Sequence, residues 1–241
     1  PHILSAEDRS KIVKKTDMFI DIGAVNRDYV DNVLEIHPGT PIFPASEFEI
    51  MADSKMLLAK AWDDRAGCAA FAQLLRSLAG QEHPNIVYGV GTVQEEVGLR
   101  GAQTSGQMIQ PDICLALDVG IAGDMPGVKT EESGLKMGAG PVLYLADGSA
   151  IAHYGLRRYV QRVAKEEGIA LQHATLMGGG TDAGAVQLVG RGVPSLTLGV
   201  PVRYVHSHQG IMHRDDYEAL VQLLIAVVKG LDWDTVKELR G

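Results

Sequence analysis

The chain has 241 residues, 46% hydrophobic and 22% charged, with a formal net charge of −8. That length and apolar content suffice for one large domain or two unequal ones with a sizeable core. An acidic balance without a basic run argues against nucleic acid or an anionic membrane as partner, and no stretch reaches the roughly 18 apolar residues of a membrane span.

Cys68 and Cys114 are the only cysteines. Their apolar neighbours predict two buried thiols in a reducing compartment, hence a cytoplasmic protein, and no disulfide framework. Ser5-Ala-Glu-Asp8 has the lettering of a capping box and predicts a helix to about Thr16. The apolar residues between Asp17 and Gly23 predict a strand. Asn26 to Leu34 reads as a short helix closed by His37-Pro38-Gly39. From Thr40 to Ala61 short strands alternate with Pro41 and Pro44. Residues 1–60 therefore read as a small β-rich unit, and residues 61–241 as a second domain of different style.

In the second domain, Arg65 to Leu78 carries Ala69, Ala70, Leu74, Leu75 and Leu78 at helical spacing. The apolar run Asn85 to Val93 predicts a buried strand, Leu99 to Met108 a helix, and Ile113 to Val119 a strand. A glycine-rich irregular loop follows, from Gly120 to Gly140. Pro141–Ala146 predicts a strand, Ala150–Glu167 a helix, and Ile169–Leu176 a strand. Gly178 to Gly184 is a tight turn leading into a helix to Leu188. Pro194–Val200 predicts a strand, and Asp215–Leu231 a helix. Strands alternating with helices argue for an α/β sandwich with a largely parallel sheet.

Acids and histidines gather where predicted strands end. Asp63 and Asp64 precede the first long helix. Glu95 and Glu96 follow the Asn85–Val93 run, Asp118 closes the next strand, and His206 and His208 follow Val200. In open α/β sheets the ligand crevice lies at the carboxyl ends of the strands. Oxygen and imidazole donors converging there suit a divalent transition ion, Zn, Co or Mn. With several carboxylates and few nitrogens, two ions sharing a bridging carboxylate are expected. A Glu-Glu pair leaving a strand allows a division of labour, one group on the metal and the other on a proton. Taken singly, each motif has an ordinary structural explanation, such as a helix cap at Asp63-Asp64; the case rests on their agreement.

Trp62-Asp-Asp-Arg65, Gln94-Glu-Glu-Val-Gly-Leu-Arg-Gly101, Ala116-Leu-Asp-Val119, Gly179-Gly-Thr-Asp-Ala-Gly184 and Arg203-Tyr-Val-His206 follow the order and spacing of the TET-type, or glutamyl, aminopeptidases. This family of dinuclear metallopeptidases has often been labelled cellulase or endoglucanase, and the resemblance spans essentially the whole chain. It implies a phosphorylase/hydrolase-like three-layer sandwich with a mixed, largely parallel sheet. It also implies that residues 1–60, including Pro1-His-Ile-Leu-Ser and Met18 to Gly23, are the latter part of an inserted β-rich dimerisation domain. Asp63 resembles the bridging ligand, followed by a cis peptide bond, with Asp64 behind it. Glu96 resembles a ligand of one ion, Asp118 a ligand of the other, and His206 the remaining visible ligand. Glu95 resembles the general base, and Gly179, Gly180, Thr181 and Asp182 resemble the lining of the substrate pocket. His208 and His213 fall outside the matching positions and are expected to be structural or surface residues.

The family also carries an early His-x-Asp whose histidine binds a metal. The one His-x-Asp here, His213-Arg-Asp215, comes after His206 and opens the last helix. The resemblance thus implies that the family's N-terminal part, with one metal ligand, lies outside these 241 residues, and that they alone bind at most one ion tightly. The expected activity is metal-dependent removal of N-terminal residues from short peptides by a homo-oligomer, dimers assembling to a dodecamer. A metal-dependent deacylase is the nearest alternative. An endoglucanase is disfavoured because it leaves Asp63, Asp118 and His206 without a role.

Overall fold

The structure is a computed structural model that describes Ser5, Glu7, Asp8 and residues 11–241. The chain divides into two compact units, Pro1–Phe43 and Pro44–Gly241.

The described residues of the first unit hold a 3-10 turn, Lys15–Asp17, and one helix, α1 (Arg27–Asn32). Asn26 caps α1 as its sequence implies, its Oδ1 accepting from the Tyr29 N–H at 2.9 Å. Ser5 Oγ accepts from the Asp8 N–H at 3.1 Å and donates to Asp8 Oδ2 at 2.6 Å, the local bonding that the lettering implied. No helix continues from there through residues 11–14; part of that expected helix, and most of Pro1-His-Ile-Leu-Ser, lie outside the described residues. The strand expected over 17–23 does not form: Asp17 ends the 3-10 turn, and among the described residues of the unit no strand lies beside residues 18–23 to complete a ladder.

The second unit is built on one seven-stranded sheet of β1 (Glu49–Ile50), β2 (Met56–Ala59), β3 (Cys114–Ile121), β4 (Val142–Asp147), β5 (Gln172–Leu176), β6 (Ser195–Arg203) and β7 (Gly210–His213). The order runs β1-β2-β7-β6-β4-β5, with β3 on the other edge of β6. The sheet is mixed. The two longest ladders, β3 with β6 and β4 with β5, are parallel, and the shorter ones are antiparallel. Every residue of β6 from Ser195 to Val202 is buried, as expected of a strand covered on both faces.

Helices form the outer layers. α2 (Trp62–Leu78), α4 (Tyr154–Glu166) and α6 (Arg214–Lys229) share one face and the main core, which centres on Leu143, Leu156, Leu198, Leu220 and Leu223. α3 (Arg100–Ile109) and the short α5 (Asp182–Val186) pack together on the opposite face around Ala102, Val186 and Val189. α7 (Trp233–Arg240), not foreseen from the sequence, starts at Asp232, whose Oδ1 accepts from the Thr235 N–H at 2.8 Å. The irregular 120–140 loop is anchored by Asp216 near the start of α6. That buried carboxylate accepts from the Gly138 and Gly140 N–H groups at 2.6 and 2.7 Å.

Two expectations need correction. Residues 85–93 form no regular element and belong to no strand, and Ile86, Tyr88, Val90 and Val93 are exposed. A continuous apolar run marks a strand covered on both faces, but a ladder also needs an adjacent strand, and among the described residues none pairs with this segment. Cys68 is exposed, because it falls beside the buried stripe of α2, which runs through Ala66, Ala70, Leu74 and Leu78.

Leu198 sits fully buried at the centre of β6, whereas Leu188 is 79% exposed. We expect Leu198→Ala to lower stability by about 2–5 kcal/mol and Leu188→Ala by less than about 0.5 kcal/mol, measured by urea unfolding.

Candidate active site

Three backbone corners bring the predicted donors together, each with non-glycine residues in the left-handed region. Ala61 (φ 53°) precedes α2, Gln94 (φ 59°) precedes the 3-10 turn Glu95–Val97, and Tyr204 (φ 61°) and His206 (φ 59°) follow β6. Such conformations cost energy for residues with a Cβ and gather at functional sites. The first corner is pinned by Trp62, whose Nε1–H donates to the Gly210 carbonyl at 3.1 Å. Asp63 and Asp64 then keep non-helical backbone, with a cis peptide between them, so the regular helix begins only at Arg65. The second corner is set by the close approach of α3: a Cβ on Gly101 would lie 2.4 Å from the Val93 nitrogen. The third is braced by Arg203, whose Nε and Nη2 donate to the two carboxylate oxygens of Asp124 at 3.0 and 2.8 Å.

At the meeting point, His206 Nε2 lies 3.0 Å from Asp63 Oδ2 and 3.5 Å from Glu96 Oε2. One donor atom from each of Asp63, Glu96 and His206 lies within 4.8 Å of the other two. One imidazole and two carboxylates are a donor set that suits a zinc-like ion. Around them stand further acids. Burial pushes the Asp118 carboxyl up to about 9, helped by the charges of Asp64 and Asp63. Burial likewise lifts Asp64 to about 8, although its Oδ1 accepts from the Gly67 N–H at 2.8 Å. Glu95 reaches about 7 through burial and then the charges of Asp182 and Glu96. Asp63 and Asp182 are also raised, chiefly by burial. A divalent cation in their midst favours all the ionised forms at once, so the residues fit such a group.

Of the predicted ligands, the structure thus brings together Asp63, Glu96 and His206. Asp118 stands apart from that triad, its Oδ1 accepting from the Val119 N–H at 2.7 Å, although its charge acts on the same neighbourhood. His208 is exposed and its carbonyl accepts from Ser46 Oγ. His213 is buried and caps α6, its Nδ1 accepting from the Asp215 N–H at 3.2 Å. Both are structural or surface residues, as expected.

In the Gly179–Asp182 loop, Asp182 faces the site. Its Oδ2 accepts from Thr92 Oγ1 at 2.6 Å, and its buried Oδ1 has no hydrogen-bond partner among the described residues. The Thr181 hydroxyl is instead buried, 2.8 Å from Asp147 Oδ2 and 2.6 Å from Thr197 Oγ1. Gly179 accepts from the Gly148 N–H at 2.6 Å. A Cβ on Gly180 would meet the Ser149 side chain at 2.9 Å. The sequence reading missed Asp147, whose Oδ1 accepts from the Ser149 N–H, the Ser149 hydroxyl and the Ala150 N–H. Asp147-Gly-Ser has the lettering of an Asx turn, which was the available signal.

The model of the M42 glutamyl aminopeptidase family matches residues 1–223. The chain belongs to that family. It is 34% identical over 241 residues to the glutamyl aminopeptidase of Lactococcus lactis subsp. cremoris (strain MG1363), covering all of this chain and 66% of that protein. Among solved structures, the TET aminopeptidase of the marine sediment archaeon Thaumarchaeota archaeon SCGC AB-539-E09 superposes with a TM-score of 0.91 at 42% identity, over 99% of this chain and 67% of that one. The TET1 peptidase of Pyrococcus horikoshii, described as able to assemble into a tetrahedron or a large octahedral shell, gives 0.78 at 32% identity, over 96% and 66%. The chain spans between 62% and 66% of the length of three curated relatives it matches. Family membership brings divalent metal chemistry with it, in agreement with the donor cluster.

Two outcomes follow for the metal-free chain. The folded Asp64 and Asp118 hold protons up to about pH 8 and 9, against an ordinary carboxyl value of 3.8. Above about pH 4 the folded state therefore binds more protons than the unfolded one, and stability falls as pH rises until both groups have ionised. We expect the melting temperature in chelator to drop between about pH 5 and 9, and Asp118→Asn or excess zinc to flatten the drop. In calorimetric titration, His206→Ala should weaken zinc binding by at least tenfold while His208→Ala leaves it unchanged. Equal losses contradict the cluster.

Proposed function

We propose that the chain acts in a metalloaminopeptidase that removes N-terminal residues from short peptides. The observation that carries this reading is the convergence of Asp63, Glu96 and His206, with Glu95 beside Glu96. Asp63, Glu96 and His206 would hold one divalent ion, Zn, Co or Mn. Asp63 would be shared with a second, for which Asp118 would be a ligand; the influence of the Asp64 and Asp63 charges on Asp118 supports that reading. Bound ions supply Lewis acidity toward the scissile carbonyl and lower the pKa of water.

The protein groups do the rest. Glu95, whose carboxyl burial and the charges of Asp182 and Glu96 lift to about 7 in the metal-free chain, takes the proton of the attacking water and returns it to the leaving amine; the cation favours the ionised form that accepts this proton. Asp64, fixed by the Gly67 N–H, supports Asp63 from behind without binding the ion. Gly179, Gly180 and Asp182 border the peptide, whereas Thr181, committed to Asp147 and Thr197, holds the loop in shape. A glycosidase working through Glu95 and Glu96 leaves the His206–Asp63 pairing without a purpose.

Assembly is homo-oligomeric in this reading, dimers building a dodecamer, with residues 1–60 as the latter part of the dimerisation domain. The assembling TET1 peptidase supports it, as does the exposure of Ile12, Phe19 and Val25 in the first unit. Two free thiols suit a reducing, cytoplasmic setting; no helix among the described residues is long and apolar enough to cross a membrane.

In the assembled enzyme, Glu95→Gln should lower turnover of aminoacyl p-nitroanilides about 10²–10⁴-fold, with metal content per chain unchanged. Retention of more than about a tenth of the activity, or loss of metal, contradicts the role given to Glu95.

A further inference from the structure

β4 carries a buried tyrosine for which the site described above has no use. Tyr144 is 3% exposed and packs with Leu135 and Val142, with Ala174 and Leu176 against them. That small cluster is apolar, so a phenylalanine would fill the space as well. A buried phenol needs a hydrogen-bond partner, and leaving it without one costs stability. The Tyr144 hydroxyl finds its partner outside the cluster: it donates to the Val119 carbonyl of β3 at 2.8 Å. β3 and β4 pair with β6 and not with each other, so this side chain ties together two strands that share no ladder.

The carbonyl it holds adjoins a site carboxylate. Val119 donates its own N–H to Asp118 Oδ1 at 2.7 Å. The two bonds grip the peptide groups on either side of the Val119 Cα. The Asp118 main chain is confined as well: it stands opposite Gly199 of β6, where a Cβ would collide with the Asp118 carbonyl oxygen. With Oδ1 engaged by the Val119 N–H, Oδ2 is the oxygen left to serve an ion. Its direction follows from the tilt of the Asp118–Val119 peptide, and the tethered Val119 carbonyl limits that tilt. The charges of the site reach the phenol too. Burial first, and then Asp118, Asp63 and Asp147, push the Tyr144 hydroxyl up from its ordinary value. It therefore stays a neutral donor around neutral pH. A neutral phenol adds no charge to a crowded set of acids and moves no proton there; what it supplies is geometry.

We propose that Tyr144 is a positioning residue for the second ion: by tethering the Val119 carbonyl it holds the Asp118 carboxylate in the orientation that ion needs. The inference rests on the reading of Asp118 as a ligand given above. Groups that stand behind a metal ligand commonly change metal affinity by about 10–100-fold when removed. Here the loss falls on one ion, because Glu96 and His206, which serve the other, are set by separate backbone corners.

The test titrates zinc into the metal-stripped, assembled enzyme by calorimetry. Asp118→Asn identifies the step that belongs to the second ion. Tyr144→Phe should weaken that step by about tenfold or more and the first step by less than about twofold. Leu135→Ala hollows the same cluster but keeps the hydroxyl; it should lower the melting temperature at least as far as Tyr144→Phe does, and leave the two steps in their original ratio. A selective loss from Leu135→Ala equal to that from Tyr144→Phe assigns the effect to packing and overturns the proposal. So do equal losses at both steps in Tyr144→Phe, or an unchanged second step there when Asp118→Asn removes it. If Asp118→Asn itself alters neither step, the ligand reading falls and this proposal with it. A second measurement needs no metal. In the metal-free chain, Tyr144→Phe should speed hydrogen exchange at the Val119 amide by about tenfold or more while the amides of β6 keep their rates. An unchanged Val119 rate shows that the hydroxyl does not fix this peptide, whatever Asp118 binds, and overturns the proposal alone.

Discussion

Like charges drawn into partly desolvated surroundings are the constraint on which this structure turns. Asp63, Asp64, Glu95, Asp118 and Asp182 each hold a raised pKa, and burial is the largest cause in every case. Two ionised groups about 4 Å apart repel by roughly 4 kcal/mol at an effective dielectric near 20. Nothing that serves the fold alone gathers so many acids. The arrangement makes sense as one whose penalty is reversed by a cation, and the imidazole of His206 beside Asp63 and Glu96 supplies the single nitrogen donor of that cluster.

Holding repelling groups in place requires a rigid frame, and β6 provides it. One edge of this fully buried strand pairs along its length with β3, which carries Asp118; the other edge pairs in turn with β4 and β7. The corner after β6 delivers His206. The bidentate Arg203–Asp124 pair braces the start of that corner by joining it to the 120–140 loop, which Asp216 fixes to α6. The histidine is thus placed by a chain of well-formed bonds although its own side chain is largely exposed. Asp147 plays the same part for the Gly179–Asp182 loop: a single buried carboxylate satisfies the turn that follows it and the hydroxyl of Thr181. Rigid elements behind a polar site hold it to the tolerance that chemistry needs.

Much of this was legible in the amino-acid order. Helical spacing of apolar residues located α2, α4 and α6, because a helix must bury one stripe and the stripe shows in the letters. That Asp63, Glu96 and His206 would meet was legible from the agreement of several motifs, none of which decides it alone. Asn26 announced the start of α1, since side-chain capping is decided within one turn. What tertiary structure alone decided were relations between distant segments. Residues 85–93 have the composition of a buried strand, but a strand exists only where an edge lies beside it, and that depends on chain far away in sequence. The same holds for residues 17–23. Thr181 looked like a pocket residue, yet its hydroxyl points inward to Asp147 and Thr197. Asp118 carries a ligand's chemistry, but its distance from the Asp63–Glu96–His206 group is set by the β3–β6 register. Local order fixes which groups are available and which face they take; only packing fixes which of them meet, because distances across a sheet depend on pairing that no short stretch of sequence contains.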